Sequence, residues 1–143
     1  MKLTIIAFFL FVINCSGKRP EDLGIREGKL KPCPESPNCV SSEVANNDKV
    51  HYIPYLTYTQ TKEEAKSKLK KIILELPRTN LIKEESNYLY FEFTSRIMRY
   101  VDDVEFTFDD TAKVIQVRSA SRLGKGDMGV NRKRIESIRE LFH

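Results

Sequence analysis

Apolar residues fall along this chain in three patterns, and each points to a different kind of element. Residues 3–13, LTIIAFFLFVI, form an almost unbroken apolar run. Residues 61–77, TKEEAKSKLKKIILELP, place Ala65, Leu69, Ile72, Ile73 and Leu76 on one stripe of a helix. Thr61 and Glu64 have capping-box spacing at its start, and Pro77 marks its stop. Met128, Asn131, Ile135, Ile138 and Phe142 recur at steps of three and four, which predicts a second amphipathic helix over roughly 130–142. Between the helices, β-branched and aromatic residues predict strands near 79–84, 87–95, 100–108 and 113–122. ESN and DDTA supply turns at two junctions, whereas the link around Arg96–Arg99 has no clear signature. An edge strand is expected over 50–59, because Pro54 cannot donate to a ladder. The order is strand, helix, four strands, helix. It predicts an α+β domain in two layers: an antiparallel meander sheet of four to five strands, with both helices on one face. A curved sheet wrapped around a cavity is the variant.

Strand alternation sorts the polar residues between the two faces. One face collects Leu89, Phe91, Phe93 and Ser95, then Asp102, Val104, Phe106 and Phe108, then Ile115, Val117, Ser119 and Ser121. These sets turn polar at one end, where Ser95, Asp102, Ser119 and Ser121 should meet Asn131 from the last helix. A buried carboxylate there needs donors, from the hydroxyls, from Asn131 or from an arginine at a strand end. The cluster reads either as a satisfied network tying helix to sheet or as the mouth of a pocket. The opposite face carries Tyr88, Tyr90, Glu92, Arg96, Asp103, Glu105, Gln116, Arg118 and Arg122. It reads as a solvated lattice of cross-strand ion pairs. The alternative is an anion or protein-docking surface with Arg118 and Arg122 as forks.

The N-terminal run changes the picture from fold to address. Its 11 residues would reach only about 16 Å as a helix, too short for a hydrocarbon core of about 30 Å. With Lys2 before it and small polar residues after it, residues 1–14 read as a signal peptide. Cys15, followed by Ser16 and Gly17, resembles the acylated cysteine of a bacterial lipoprotein, although Ile13 and Asn14 depart from the small residues usual there. Cleavage after Gly17 is the rival. Residues 15–30 then form the lipidated cysteine and a flexible tether, and residues 31–143 a single domain. The expected location is the bacterial cell envelope, periplasmic or at the outer surface. The membrane is then a partner through the lipidated N-terminus.

Removing residues 1–14 leaves 23 basic against 20 acidic residues, a charge of +3. That balance is too mild to argue for nucleic acid. Arg132, Lys133, Arg134 and Arg139 read as a solvated helix face, with phosphate binding as the alternative. Export leaves Cys33 and Cys39 as a pair in an oxidising compartment. Their spacing is C-x5-C, and the only histidines are His51 and His143. A structural disulfide is the expected reading, with redox thiols or a metal as the alternatives. No cofactor, metal site or catalytic residue is assigned. Gly124, Gly126 and Gly129 suit turns better than a dinucleotide loop, and Asp127 sits where a helix start favours a carboxylate.

Three separated stretches, LKPCPESPNCVSS, YVDDVEF and VRSASRLGKGDMGVNRKRIESIR, resemble the motifs of the domain of unknown function 1499 family. The resemblance runs from about Leu30 to Phe142. It implies a shared fold and a shared site built from Asp102, Asp103, Glu105, Arg118, Ser119, Ser121, Arg122, Asp127, Asn131 and Arg132, but it supplies no reaction. The leading functional expectation is a non-catalytic binding or docking module, with a small anionic ligand or an envelope protein as its partner. A hydrolase using an acidic residue and a purely structural envelope protein are the alternatives.

Overall fold

The computed structural model describes residues 17–143. The expected signal peptide 1–14 and the expected lipidation site Cys15 lie outside these residues. An antiparallel sheet of six strands and two helices make an α+β fold. In chain order the elements are β1 (Cys39–Ser41), β2 (Leu56–Thr57), α1 (Lys62–Glu75), β3 (Thr79–Glu85), β4 (Tyr88–Thr94), β5 (Val101–Asp109), β6 (Val114–Ser121) and α2 (Val130–Phe142). The sheet runs β1-β6-β5-β4-β3, and β2 also pairs with β6. The meander of β3 to β6 follows the predicted segments within a residue or two. Two details differ. The 50–59 stretch yields only the two-residue β2. β1, which carries Cys39, has no counterpart among the predicted strands, because three residues are too few for alternation to be visible.

The register joins the expected inner-face sets. Phe93 pairs with Asp102 and Asp102 with Ser121, while Phe91 pairs with Val104 and Val104 with Ser119. Leu89, Phe91, Val104, Phe106, Ile115 and Val117 form one buried core with Ala65, Leu69 and Ile73 of α1 and Ile135, Ile138 and Phe142 of α2. Helix α1 begins at the Thr61–Glu64 capping box. Helix α2 begins at Gly129, whose φ of 76° suits glycine. Asp127, two residues earlier, accepts from the backbone N–H groups of Gly129 (2.9 Å) and Asn131 (2.8 Å) and so caps α2. Met128, expected on the inner stripe, precedes the helix and is exposed instead.

The opposite face of the sheet is not solvated. Asp103, Glu105 and Arg118 are all buried there. Their cover is the polar segment expected to be a tether. Leu23, Ile25 and Leu30 pack on Tyr88 and Tyr90 in a second small core. Gly24 donates its N–H to Glu105 Oε1 at 2.8 Å, Leu30 donates to Glu43 Oε2 at 2.7 Å, and Arg19 Nε donates to Glu92 Oε1 at 2.6 Å. Residues 17–30 thus form a strap. Its polar composition matches a polar face, which is why hydropathy alone reads it as loose. Gly24 has φ 108°, a conformation a side chain would strain, and its N–H points at the most deeply buried carboxylate of the face.

Candidate functional site

The sequence-expected site residues divide into two clusters on opposite faces of the sheet, as alternation requires. Arg132 joins neither, since its guanidinium donates to the Val50 carbonyl at the surface.

On the inner face, Asn131 is fully buried. It accepts from Ser119 Oγ (2.6 Å) and Arg134 Nη1 (2.7 Å). It donates to Asn38 O (3.1 Å), Ser121 Oγ (2.9 Å) and Asp127 Oδ2 (2.8 Å). Asp102 receives Arg134 Nη2 at 2.5 Å, and the Arg134 guanidinium lies 4.7 Å from the centre of the Phe93 ring. Asp102's cationic partner therefore comes from α2 and not from a strand end, and Arg134 does not belong to a solvated face. It follows Asn131 by three positions, so helical periodicity could have placed it beside Ser119. Arg139, from the same basic set, donates to the carbonyls of Pro54 and Tyr55. Ser95 does not reach the cluster. It is exposed in the β4–β5 turn, where its hydroxyl accepts from Tyr100 N–H. Burial pulls the Asp127 carboxyl up, but the Asn131 and Gly129 backbone N–H groups and the Asn131 amide outweigh it and hold the group below its ordinary range.

On the outer face, Arg122 holds Asp103 with Nε (2.9 Å) and Nη2 (2.6 Å), donates to Tyr90 Oη (3.1 Å) and also contacts Glu92. Glu105 accepts from Arg118 Nη1 (3.1 Å), Tyr88 Oη (2.7 Å) and Gly24 N–H. Tyr90 Oη donates to Asp103 at 2.5 Å. Burial pushes Glu92 up, but hydrogen bonds from Arg19 and Arg122 prevail and keep it depressed. Glu43 is raised, by burial first. It neighbours Glu105 and is occupied by Leu30 N–H.

Arg118 differs from its neighbours. Its side chain is 5% exposed, yet Nε has no hydrogen-bond partner among the described residues. A buried unpaired donor costs about 1–3 kcal/mol. Arg118 also lines a pocket of about 340 Å³ between the strap, the Cys33–Cys39 disulfide and the sheet. Pro20, Leu23, Pro32 and Pro34 give it apolar walls, and Asp103, Arg118, Ala120 and Arg122 line its sheet side. Three cationic residues, Lys31, Arg118 and Arg122, line it against one acidic residue, Asp103. The disulfide expected from the sequence is thus present, and it stiffens one wall. A larger hollow of about 540 Å³ lies against the strap's own turn, around Arg26 to Pro32. It holds none of the buried charges of the sheet.

The buried phenols make a pH prediction. Burial first, then the nearby carboxylates of Glu105 and Asp103, raise Tyr88 and Tyr90 far above the usual tyrosine range. Burial with Asp110 pushes Tyr58 up to about 12. The unfolded value is ~10. The neutral phenols therefore favour the fold fully below about pH 10, and their contribution is lost as pH rises through the folded values. In an alkaline titration of tyrosinate absorbance, these three of the six tyrosines should ionise late and together with loss of the far-ultraviolet circular dichroism. Reversible ionisation of all six near pH ~10 with the fold intact would contradict the burial described.

Among the described residues no group of three or more His, Cys, Asp and Glu side chains is placed to hold a metal ion. No curated protein and no solved structure matches the chain. The sequence motifs and the site residues expected from the sequence fall inside one family match, which covers residues 29–142: the chain belongs to the family described as protein of unknown function (DUF1499).

Proposed function

We propose that this is an exported, lipid-anchored envelope domain that binds a small anionic ligand, without catalysis, in the pocket beneath the strap. The observation carrying the reading is Arg118, a buried guanidinium that lines, with Arg122 and Lys31, a cavity large enough for a small molecule. An oxygen acceptor, carboxylate or phosphate, would meet these three cationic residues, while the prolines and Leu23 would meet an apolar portion. The carboxylates around it are held by arginines and phenols, which suits fixing charge in place more than moving protons. The reading takes both helices as one layer on the Phe91 face, supported by the core they share, and leaves the other face to the strap and the ligand. The short apolar run and Cys15 support export and acylation.

Native mass spectrometry of the full chain extracted from its host membrane tests both parts. The chain should begin at Cys15 and carry acyl chains, and it should retain a small bound mass. Ala120 lines the pocket and points away from the helical core, so Ala120→Leu narrows the pocket without removing a member of any ion pair. That variant should lose the bound mass while keeping its melting temperature within a few degrees. A wild-type chain free of ligand, with no thermal shift from succinate, citrate or inorganic phosphate, would remove the binding role. An unacylated chain beginning at Lys18 is told apart by mass alone, and it would remove the anchor.

A further inference from the structure

The ends of the sheet are chemically unequal. Thr94 pairs with Val101, and Asp102 pairs with Ser121. The β4–β5 turn and the β6–α2 loop therefore leave the sheet at the same end. These two segments, with the first residue of α2, expose Ile97, Met98 and Tyr100 on one side and Leu123, Met128 and Val130 on the other. They are six of the ten large hydrophobic side chains that stand exposed among the described residues. Ile97 is 85% and Met128 96% exposed. A lone exposed apolar residue needs no explanation, but six gathered at one end of a small domain do. Arg96, Arg99 and Lys125 are exposed among them. The acid in these segments, Asp127, is already bound to the start of α2.

The described chain begins at this same end. A Cβ placed on Gly17 would lie 3.1 Å from Leu123 Cγ and 3.1 Å from Arg122 Cβ. Gly17 is four peptide steps from Ile13, the last residue of the apolar run, a reach of at most ~14 Å. Cys15 is closer still. An attachment to a bilayer through either would hold this end of the domain, and no other, against the membrane.

We infer that the paired loops 95–100 and 122–130 form a membrane-contact surface, which inserts apolar side chains among the headgroups of an anionic bilayer with Arg96, Arg99 and Lys125 at the phosphates. Apolar side chains ringed by basic ones suit that interface, and a tyrosine such as Tyr100 favours the same depth. The contact fixes orientation. The sheet stands with this end down, and the side of the pocket lined by Ser121 and Arg122 lies nearest the lipid surface. The inference rests on the membrane attachment proposed above but not on the pocket being occupied.

The chain contains no tryptophan, so a single introduced indole reports its own surroundings. Full-length Ile97→Trp and Leu141→Trp are bound to vesicles of phosphatidylcholine and phosphatidylglycerol, with and without brominated acyl chains. Leu141 is an exposed control at the far end of α2. The Ile97→Trp emission should shift to the blue and be strongly quenched by the brominated lipid, while Leu141→Trp should do neither. Equal, weak quenching at both positions on a chain that floats with the vesicles would overturn the contact and leave the attachment standing. A chain that does not float would overturn both. A blue shift of Ile97→Trp without vesicles, growing with protein concentration, would assign the surface to a second copy of the chain and overturn the lipid proposal.

Discussion

Arg118→Ala should lower the free energy of unfolding by about 3–5 kcal/mol, the usual cost of removing one member of a buried ion pair. Glu105 is 0% and Arg118 5% exposed at the side chain. Without the guanidinium, the carboxylate keeps only the Tyr88 hydroxyl and the Gly24 N–H. Two neutral donors do not replace a cation at that depth. The loss reflects a stranded charge more than the worth of the pair, so the companion variant matters. Arg118→Met combined with Glu105→Leu removes both charges and should regain much of the loss. Recovery stays partial, because Tyr88 and Gly24 are then left without their acceptor. Urea midpoints of the single and double variants measure the cycle. A single-variant cost below ~1 kcal/mol, the scale of exposed pairs, would mean that the strap does not exclude water from this face.

Asn131→Ala should cost about 3 kcal/mol. The amide serves five partners in a buried site, and truncation leaves the Ser119 O–H without its acceptor and weakens the holds on Asp127 and Asn38. Alanine is the better helix former by a few tenths of a kcal/mol, which offsets little. Ser121→Ala removes one contact of the same network and should cost under ~1 kcal/mol. Thermal unfolding of the pair separates two readings of the inner cluster. A large gap between the two costs marks a closed network that ties α2 to the sheet. Near-equal, small costs would mark a site already open to water.

Much of this architecture is legible in the sequence because its signals are local and periodic. The Thr61–Glu64 box, the α1 stripe and the inner-face alternation depend on neighbours in sequence, and the structure keeps all three. Even the meeting of Asp102 with Ser119 and Ser121 follows from pleat and hairpin order. The burial of Asp103, Glu105 and Arg118 is not legible. Alternation tells which face a side chain takes, but not whether another segment covers that face. The cover here comes from a polar stretch that lies 81 residues from Glu105 along the chain, and it is held by backbone N–H groups that have no signature in composition. Arg134 escapes notice for a smaller reason. A basic residue among three others on a helix looks solvated until its step from Asn131 is counted.

The family match begins at residue 29, but the folded unit does not. A chain trimmed to that boundary would lose Arg19 from Glu92 and the Gly24 N–H from Glu105, and would bare Tyr88 and Tyr90. Any truncation for expression or crystallisation should therefore keep residues 17–28. Of the described residues, the stretch that leaves the ribosome first finds its place only after β6 has been delivered.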